Sequence, residues 1–278
     1  MKINLAKSAG FCFGVKRAID IALKISASAG EVCMLGDIVH NEDVVRQIAK
    51  TGIKKIKKLS DGRKKSLLIR AHGSSQQTLN NASRLGYNIV DATCPMVKEI
   101  HKIARQMEQK GYKIIIIGDK NHDEVMGIAG QLKNKAIVID ELDNIPVKSV
   151  SRIKKCAVVV QSTQNIDKVM SIVNALGVYI KELKFFNTIC KPTSIRQEEI
   201  RKMPLENDII IIIGSKHSAN TKRLYEISKS LNPHSFWIVS DKDLQKNWFK
   251  GARSVGITAG ASTPDYIMQR VILAIKRH

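Results

Sequence analysis

Aliphatic residues recur along this chain in short unbroken runs rather than in strict alternation. The clearest are 67–69 (L-L-I), 114–117 (I-I-I-I), 157–160 (A-V-V-V), 209–213 (I-I-I-I-I) and 255–257 (V-G-I). Such runs predict strands buried on both faces, as in parallel sheets. Apolar residues at helical spacing predict helices over 76–85, 163–176 and 220–231. Strand and helix alternate, which predicts an α/β fold. Several runs end in short polar loops. In open parallel sheets, ligands bind beyond the carboxyl ends of strands. Those ends carry His72, His122, Glu124, Ser162, Ser218, Asn220 and Ser262.

The cysteines divide into two kinds. Cys94 lies in D-A-T-C-P at 91–95, where Pro95 at a first helical position opens the helical pattern Val97, Ile100, Ala104, Met107. Cys190 stands two residues before Pro192 and the pattern Ile195, Ile200, Met203. Cys12 in G-F-C-F-G precedes Val15, Ile19, Ala22 and Leu23. Each of the three is expected at a helix N-terminus, where exposed N–H groups and the helix dipole favour a thiolate. They could serve one shared, negatively charged centre or be unrelated loop residues. Cys33 in E-V-C-M-L and Cys156 in K-C-A-V-V-V sit in strand-type runs and read as small buried hydrophobes.

Zinc structural sites commonly use four ligands with a close pair, and no C-x-x-C occurs here. Three isolated thiolates suit a cubane with one open iron better, and an open coordination position is what lets a metal act on a substrate. The loop histidines His40 (V-H-N), His72 (A-H-G) and His122 (N-H-D-E), with serine- and glycine-rich strand ends, suggest an anion pocket. Glu124, beside one of them, is a candidate for proton transfer.

A chain of 278 residues can bury a large core, and 44% hydrophobic with 26% charged residues suits a globular protein. No apolar run approaches a membrane span, and Met1–Lys7 leads straight into a strand pattern, so neither a membrane segment nor a leader is expected. Five cysteines without a disulfide-type framework suit a reducing cytoplasm. The net charge of +21 fits nucleic acid, an acidic partner or a lysine-rich solvated surface. The basic residues are dispersed, with clusters at 54–58 and 63–65 around a turn at Asp61-Gly62, and no RNA-binding aromatic signature accompanies them. The reading therefore expects no nucleic acid, with a basic RNA-binding protein carrying a structural metal as the alternative.

Ten motifs in order give a more specific reading. They are G-F-C-F-G-V (10–15), V-H-N (39–41), A-H-G (71–73), D-A-T-C-P (91–95), H-D-E-V (122–125), Q-S-T (161–163), I-C (189–190), R-Q-E (196–198), G-S-K-H-S-A-N (214–220) and T-A-G-A-S (258–262). Over nearly its whole length the chain resembles the IspH/LytB family of 4-hydroxy-3-methylbut-2-enyl diphosphate reductases. The resemblance implies a trefoil of three α/β domains, with mostly parallel sheets, around a central [4Fe-4S] cluster. The expected domains are 14–94, 95–190 and 191–278, with 1–13 joining the last. Cys12, Cys94 and Cys190 match the three cluster ligands, leaving the fourth iron open for the allylic hydroxyl of the substrate. Two electrons and two protons would remove that hydroxyl as water, giving isopentenyl and dimethylallyl diphosphates. This is the last step of the non-mevalonate route to isoprenoids.

Glu124 matches the family's proton donor. His40, His72, His122, Ser218, Asn220 and Ser262 match residues that hold the substrate, mainly its diphosphate, and Ser162 replaces a threonine near the reacting end. Ala219 stands where the family usually has a second serine, which loses a hydroxyl contact and leaves its main-chain N–H. His217 stands where an asparagine is common. The resemblance also implies an acidic electron donor, ferredoxin or flavodoxin.

Overall fold

In a computed structural model, residues 1–27 and 30–277 are described. They form three four-stranded sheets, every strand pairing being parallel. The first holds β2 (Glu31–Leu35), β3 (Lys54–Ile56), β4 (Lys65–Ile69) and β5 (Asn88–Asp91), in the order β3-β2-β4-β5. The second holds β6 (Lys113–Ile117), β7 (Ile137–Ile139), β8 (Lys155–Val160) and β9 (Glu182–Phe185), in the order β7-β6-β8-β9. The third joins β1 (Lys2–Leu5) to β10 (Ile209–Ile213), β11 (Ser235–Ile238) and β12 (Ser254–Ala259), in the order β1-β12-β10-β11.

All three follow one plan. Numbering each sheet's strands in sequence, and taking β1 as the fourth strand of the third sheet, gives the order 2-1-3-4 each time. No sequence repeat announces this, because the three sheets share topology rather than side chains. The order reverses between the first and third strands, and such switch points open a crevice at the strands' carboxyl ends.

The unbroken aliphatic runs have the expected cause. Ile209, Ile211 and Ile213 pack with α10 (Asp265–Ile275), while Ile210 and Ile212 pack with α8 (Lys191–Glu206) and α9 (Ala219–Leu231). In the second sheet, Ile115, Ile117, Val158 and Val160 face α7 (Ile166–Gly177). Ile114, Ile116, Ala157 and Val159 face α4 (Pro95–Gln109) and α5 (Asp123–Ala129). Successive side chains point to opposite faces, so a sheet covered on both sides needs apolar residues at every position. Each buried Ile or Val contributes roughly 1.5–3 kcal/mol.

Two details differ from the expected pattern. The helix expected over 163–176 starts at Ile166, because the Asn165 side chain accepts from Asp167 N and caps it there. Ile195, expected on the apolar face of α8, is exposed.

Contacts group the chain into two compact units. One comprises Met1–Lys16, Val39–Arg46 and Cys190–His278, and the other Arg17–Ile38 and Gln47–Ile189. The first two sheets lie in the latter, and the third lies in the former.

Candidate active site

The shared strand order sorts the candidate residues by chemistry. The switch-point strands β2 and β4, β6 and β8, and β10 and β12 are followed by His40 and His72, by His122, Glu124 and Ser162, and by Ser218, Ala219, Asn220 and Ser262. The fourth strands β5, β9 and β1 are followed by Cys94, Cys190 and Cys12. Each cysteine directly precedes a helix. Cys94 is the N-cap of α4, Cys190 is the N-cap of α8, and α1 (Phe13–Ser26) begins one residue after Cys12. Neither the Cys94 nor the Cys190 sulfur makes a cap bond to its own helix.

Within Arg17–Ile38 and Gln47–Ile189, Glu124 is the central group. It is 2% exposed and bonded through both oxygens to Ser162, from the main-chain N–H to Oε1 at 2.6 Å and from Oγ to Oε2 at 2.8 Å. Burial pushes its carboxyl pKa up, against the lowering effect of these two hydrogen bonds. A carboxyl held this way can keep a proton that an exposed one would lose. His122 caps α5 by accepting from Glu124 N through Nδ1 at 3.1 Å, so the neutral ring carries its proton on Nε2. The His72 and His122 rings meet edge to face, 5.5 Å between centroids. Thr163, the neighbouring hydroxyl, instead accepts from Gln161.

The A-H-G turn also anchors the cysteine loop, because Cys94 N donates to the Ala71 carbonyl at 2.9 Å. Arg17 of α1 donates to the Thr93 carbonyl at 3.1 Å. Beneath this turn lies His101 of α4, which the sequence reading missed. It is 6% exposed, and its Cε1 would lie 2.7 Å from a Cβ on Gly73, whose φ is +79°. Only glycine allows that turn to close over the imidazole. Burial, helped by Arg105, lowers the His101 pKa to about 4. Arg70 and Asp123 form an ion pair at 2.6 Å that ties the end of β4 to the start of α5.

Within Met1–Lys16, Val39–Arg46 and Cys190–His278, the Ser262 hydroxyl donates to the His40 carbonyl at 3.1 Å. Asn41 of V-H-N caps α2 (Glu42–Lys50) by accepting from Asp43 N and Val44 N. Ser218 caps α9 by accepting from Thr221 N, which leaves Ala219 and Asn220 in its buried first turn. The Nδ2 of Asn220 is buried with no hydrogen-bond partner. The His217 ring is 80% exposed, with its nearest carboxylate, Glu42, at 4.0 Å. Glu42 also accepts from the Ser215 hydroxyl at 2.8 Å.

The cysteines of this unit have two supports that the sequence reading did not single out. Thr193 and Cys190 are 3.1 Å apart, Oγ1 to Sγ. Arg196 is buried, donating to the Pro192 carbonyl at 3.0 Å and the Gly10 carbonyl at 2.7 Å. Thr193 carries no sequence signal beyond standing three residues into a helix. Arg196 is the first residue of R-Q-E, a motif whose sequence alone assigns it no role. By contrast, Cys33 and Cys156 are buried in β2 and β8, and burial pushes both thiols up, that of Cys156 to about 11. The partly exposed, helix-start cysteines fit a thiolate-held centre, and the two strand cysteines do not.

The model of the LytB protein family matches residues 3–276. The chain belongs to the LytB family. LytB-family relatives named 4-hydroxy-3-methylbut-2-enyl diphosphate reductase include one from Aquifex aeolicus, 40% identical over 97% of this chain and 94% of its own length. Another, from Campylobacter fetus, is 42% identical over 98% and 96%. A solved structure described as (E)-4-hydroxy-3-methyl-but-2-enyl diphosphate reductase, the terminal enzyme of the non-mevalonate pathway, superposes with a TM-score of 0.73. It is 39% identical and covers 100% of both chains. The Plasmodium falciparum E-1-hydroxy-2-methyl-but-2-enyl-4-diphosphate reductase superposes with a TM-score of 0.88 at 28% identity, covering 98% of this chain and 87% of that one. The RNA-binding alternative falls with this membership. No helix among the described residues is long and apolar enough to cross a membrane.

Proposed function

We propose that this LytB-family chain reduces (E)-4-hydroxy-3-methylbut-2-enyl diphosphate to isopentenyl and dimethylallyl diphosphates with loss of water. The observation that carries the reading on this chain is the buried Glu124–Ser162 pair at a switch point, a protonatable carboxyl with a raised pKa. A [4Fe-4S] centre on Cys12, Cys94 and Cys190 would supply the electrons and a Lewis-acidic iron for the allylic oxygen. The thiols at helix starts fit that group, as does the buried cation Arg196, which bonds carbonyls two residues from Cys190 and from Cys12.

The protein's own part is proton delivery and binding. Glu124 gives a proton toward the departing hydroxyl, so that two electrons and two protons convert the alcohol to product and water. Ser162 holds the carboxyl in place. His40, His72 and His122 donate to the diphosphate, together with the hydroxyl of Ser218, that of Ser262 once it turns from the His40 carbonyl, Asn220 Nδ2 and the Ala219 main-chain N–H. The unpartnered amide of Asn220 supports this assignment, since a buried donor without an acceptor is costly.

The electrons come from an acidic redox protein, ferredoxin or flavodoxin, attracted by the net charge of +21. The compartment is the cytoplasm, where thiols stay reduced. The stretches 14–94, 95–190 and 191–278 with 1–13 act as three domains. Their support is that each sheet draws its strands from one of them. The test is anaerobic reconstitution with iron and sulfide, followed by product analysis with dithionite as reductant.

A further inference from the structure

We infer that Arg196 is a positioning residue for the iron–sulfur centre, a buried fixed cation and N–H donor that raises the centre's reduction potential. The inference rests on the assignment of Cys12 and Cys190 proposed above. Arg196 lies in α8 and is 4% exposed. Its Nη1 donates to the carbonyl of Pro192, two residues after Cys190. Its Nη2 donates to the carbonyl of Gly10, two residues before Cys12. One guanidinium therefore ties the first turn of α8, which Cys190 caps, to the loop that presents Cys12. The Gly10 end of the tie is closely built, since its φ is +91° and a Cβ there would run into Met268.

The hydrogen bonds Arg196 makes go to neutral carbonyls, and its Nε–H is buried with no acceptor. A buried N–H without a partner calls for an explanation, and a buried cation needs a counter-charge. The acidic groups placed near it are Cys12 and Cys190, each two residues from a carbonyl it bonds, and Glu199, three residues further on in α8. Glu199 is already engaged by the N–H and hydroxyl of Ser8. The two thiolates are then the counter-charge, and a sulfur of the bound centre is the acceptor that Nε–H lacks.

Adding an electron makes a thiolate-held centre more negative. A nearby positive charge in a poorly solvated site stabilises the reduced form more than the oxidised one. Cluster potentials follow net charge and hydrogen bonds to sulfur. Arg196→Gln keeps an N–H donor at about the distance of Nε, loses the two Nη groups and removes the charge, so the potential moves to a more negative value. Arg196→Lys keeps the charge and loses the planar fork, so the shift is smaller.

The experiment is an EPR-monitored redox titration of the reconstituted holoenzyme and both variants, with iron and sulfide counted on the same samples. The expected order of potentials is parent, then Arg196→Lys, then Arg196→Gln at the most negative. A fully loaded Arg196→Gln protein with the parent's potential overturns the role of Arg196 and leaves the functional reading standing. A parent that assembles no cluster overturns the functional reading, and this inference with it. Should Arg196→Gln fail to fold, pulsed EPR on the reduced parent, labelled with ¹⁵N-arginine, decides. A weak ¹⁵N coupling that disappears in Arg196→Lys supports the inference. No coupling in the parent, or one that survives in Arg196→Lys, overturns it.

Discussion

Ser162 holds both oxygens of Glu124, through its main-chain N–H at 2.6 Å and its hydroxyl at 2.8 Å. Ser162 lies in the loop after β8 and Glu124 in the first turn of α5, which follows β6; β6 and β8 are the switch-point strands of the second sheet. The carboxyl is thus both buried and fixed, as a proton donor must be. Glu124→Gln keeps the shape, the cluster and substrate binding, and cannot deliver a proton. Turnover with a chemical reductant is expected to fall by roughly 10²–10⁴-fold, the usual worth of general acid catalysis. Single-turnover product analysis beside a substrate-binding titration checks this, and turnover within a few-fold of the parent would remove Glu124 from the proton path.

Ser162→Ala should act on the same group through its pKa. The Ser162 hydroxyl favours the ionised carboxylate, so losing it pushes the Glu124 pKa further up. The limb of the pH–rate profile that reports Glu124 then moves to higher pH in Ser162→Ala. It stays in place in Ser162→Thr, which keeps the hydroxyl. Superimposable profiles for Ser162→Ala and the parent would contradict the pairing.

The cysteines divide by placement. Serine at Cys12, Cys94 or Cys190 should strip most of the iron and sulfide from anaerobically reconstituted protein. Serine at Cys33 or Cys156, buried in β2 and β8, should leave both near the parent's level. Retention of a full cluster in Cys94→Ser would overturn the ligand assignment.

His101 makes stability depend on pH. Its folded pKa is about 4 against 6.5 for the free side chain, mainly through burial, with Arg105 and Lys98 adding to the effect and Asp91 opposing it. Between these two values the unfolded chain binds a proton that the folded one does not, so stability rises with pH across that window. Acidification from pH 7 to 4 is therefore expected to cost about 3 kcal/mol through this residue alone. Urea unfolding at several pH values, in the parent and in His101→Gln, measures it. The variant should lose less stability on acidification than the parent, and equal losses would assign the effect elsewhere.

Much of the fold was legible in the aliphatic runs, because a parallel sheet covered on both faces leaves no position for a polar alternation. Pro95 and Pro192 likewise marked the starts of α4 and α8, and with them the places of Cys94 and Cys190. The strand order was not legible. Ile209–Ile213 and Ile114–Ile117 read alike, and nothing in either says which strand lies beside it. The closure of the third sheet by β1, more than 200 residues away from β12, is a long-range pairing that leaves no local trace. His101 and Arg196 escaped for another reason. Each lies inside a helical pattern, where a charged or titratable residue normally faces water. Only the fold shows His101 under the Gly73 turn and Arg196 between the Gly10 and Pro192 carbonyls.

The most direct test of the account is anaerobic turnover of (E)-4-hydroxy-3-methylbut-2-enyl diphosphate by the reconstituted, iron-counted protein with dithionite. The account predicts a brown protein that converts the substrate to isopentenyl and dimethylallyl diphosphates, with activity proportional to cluster content. A fully loaded protein that leaves the substrate unchanged, or a colourless protein that binds zinc instead of iron, would contradict it.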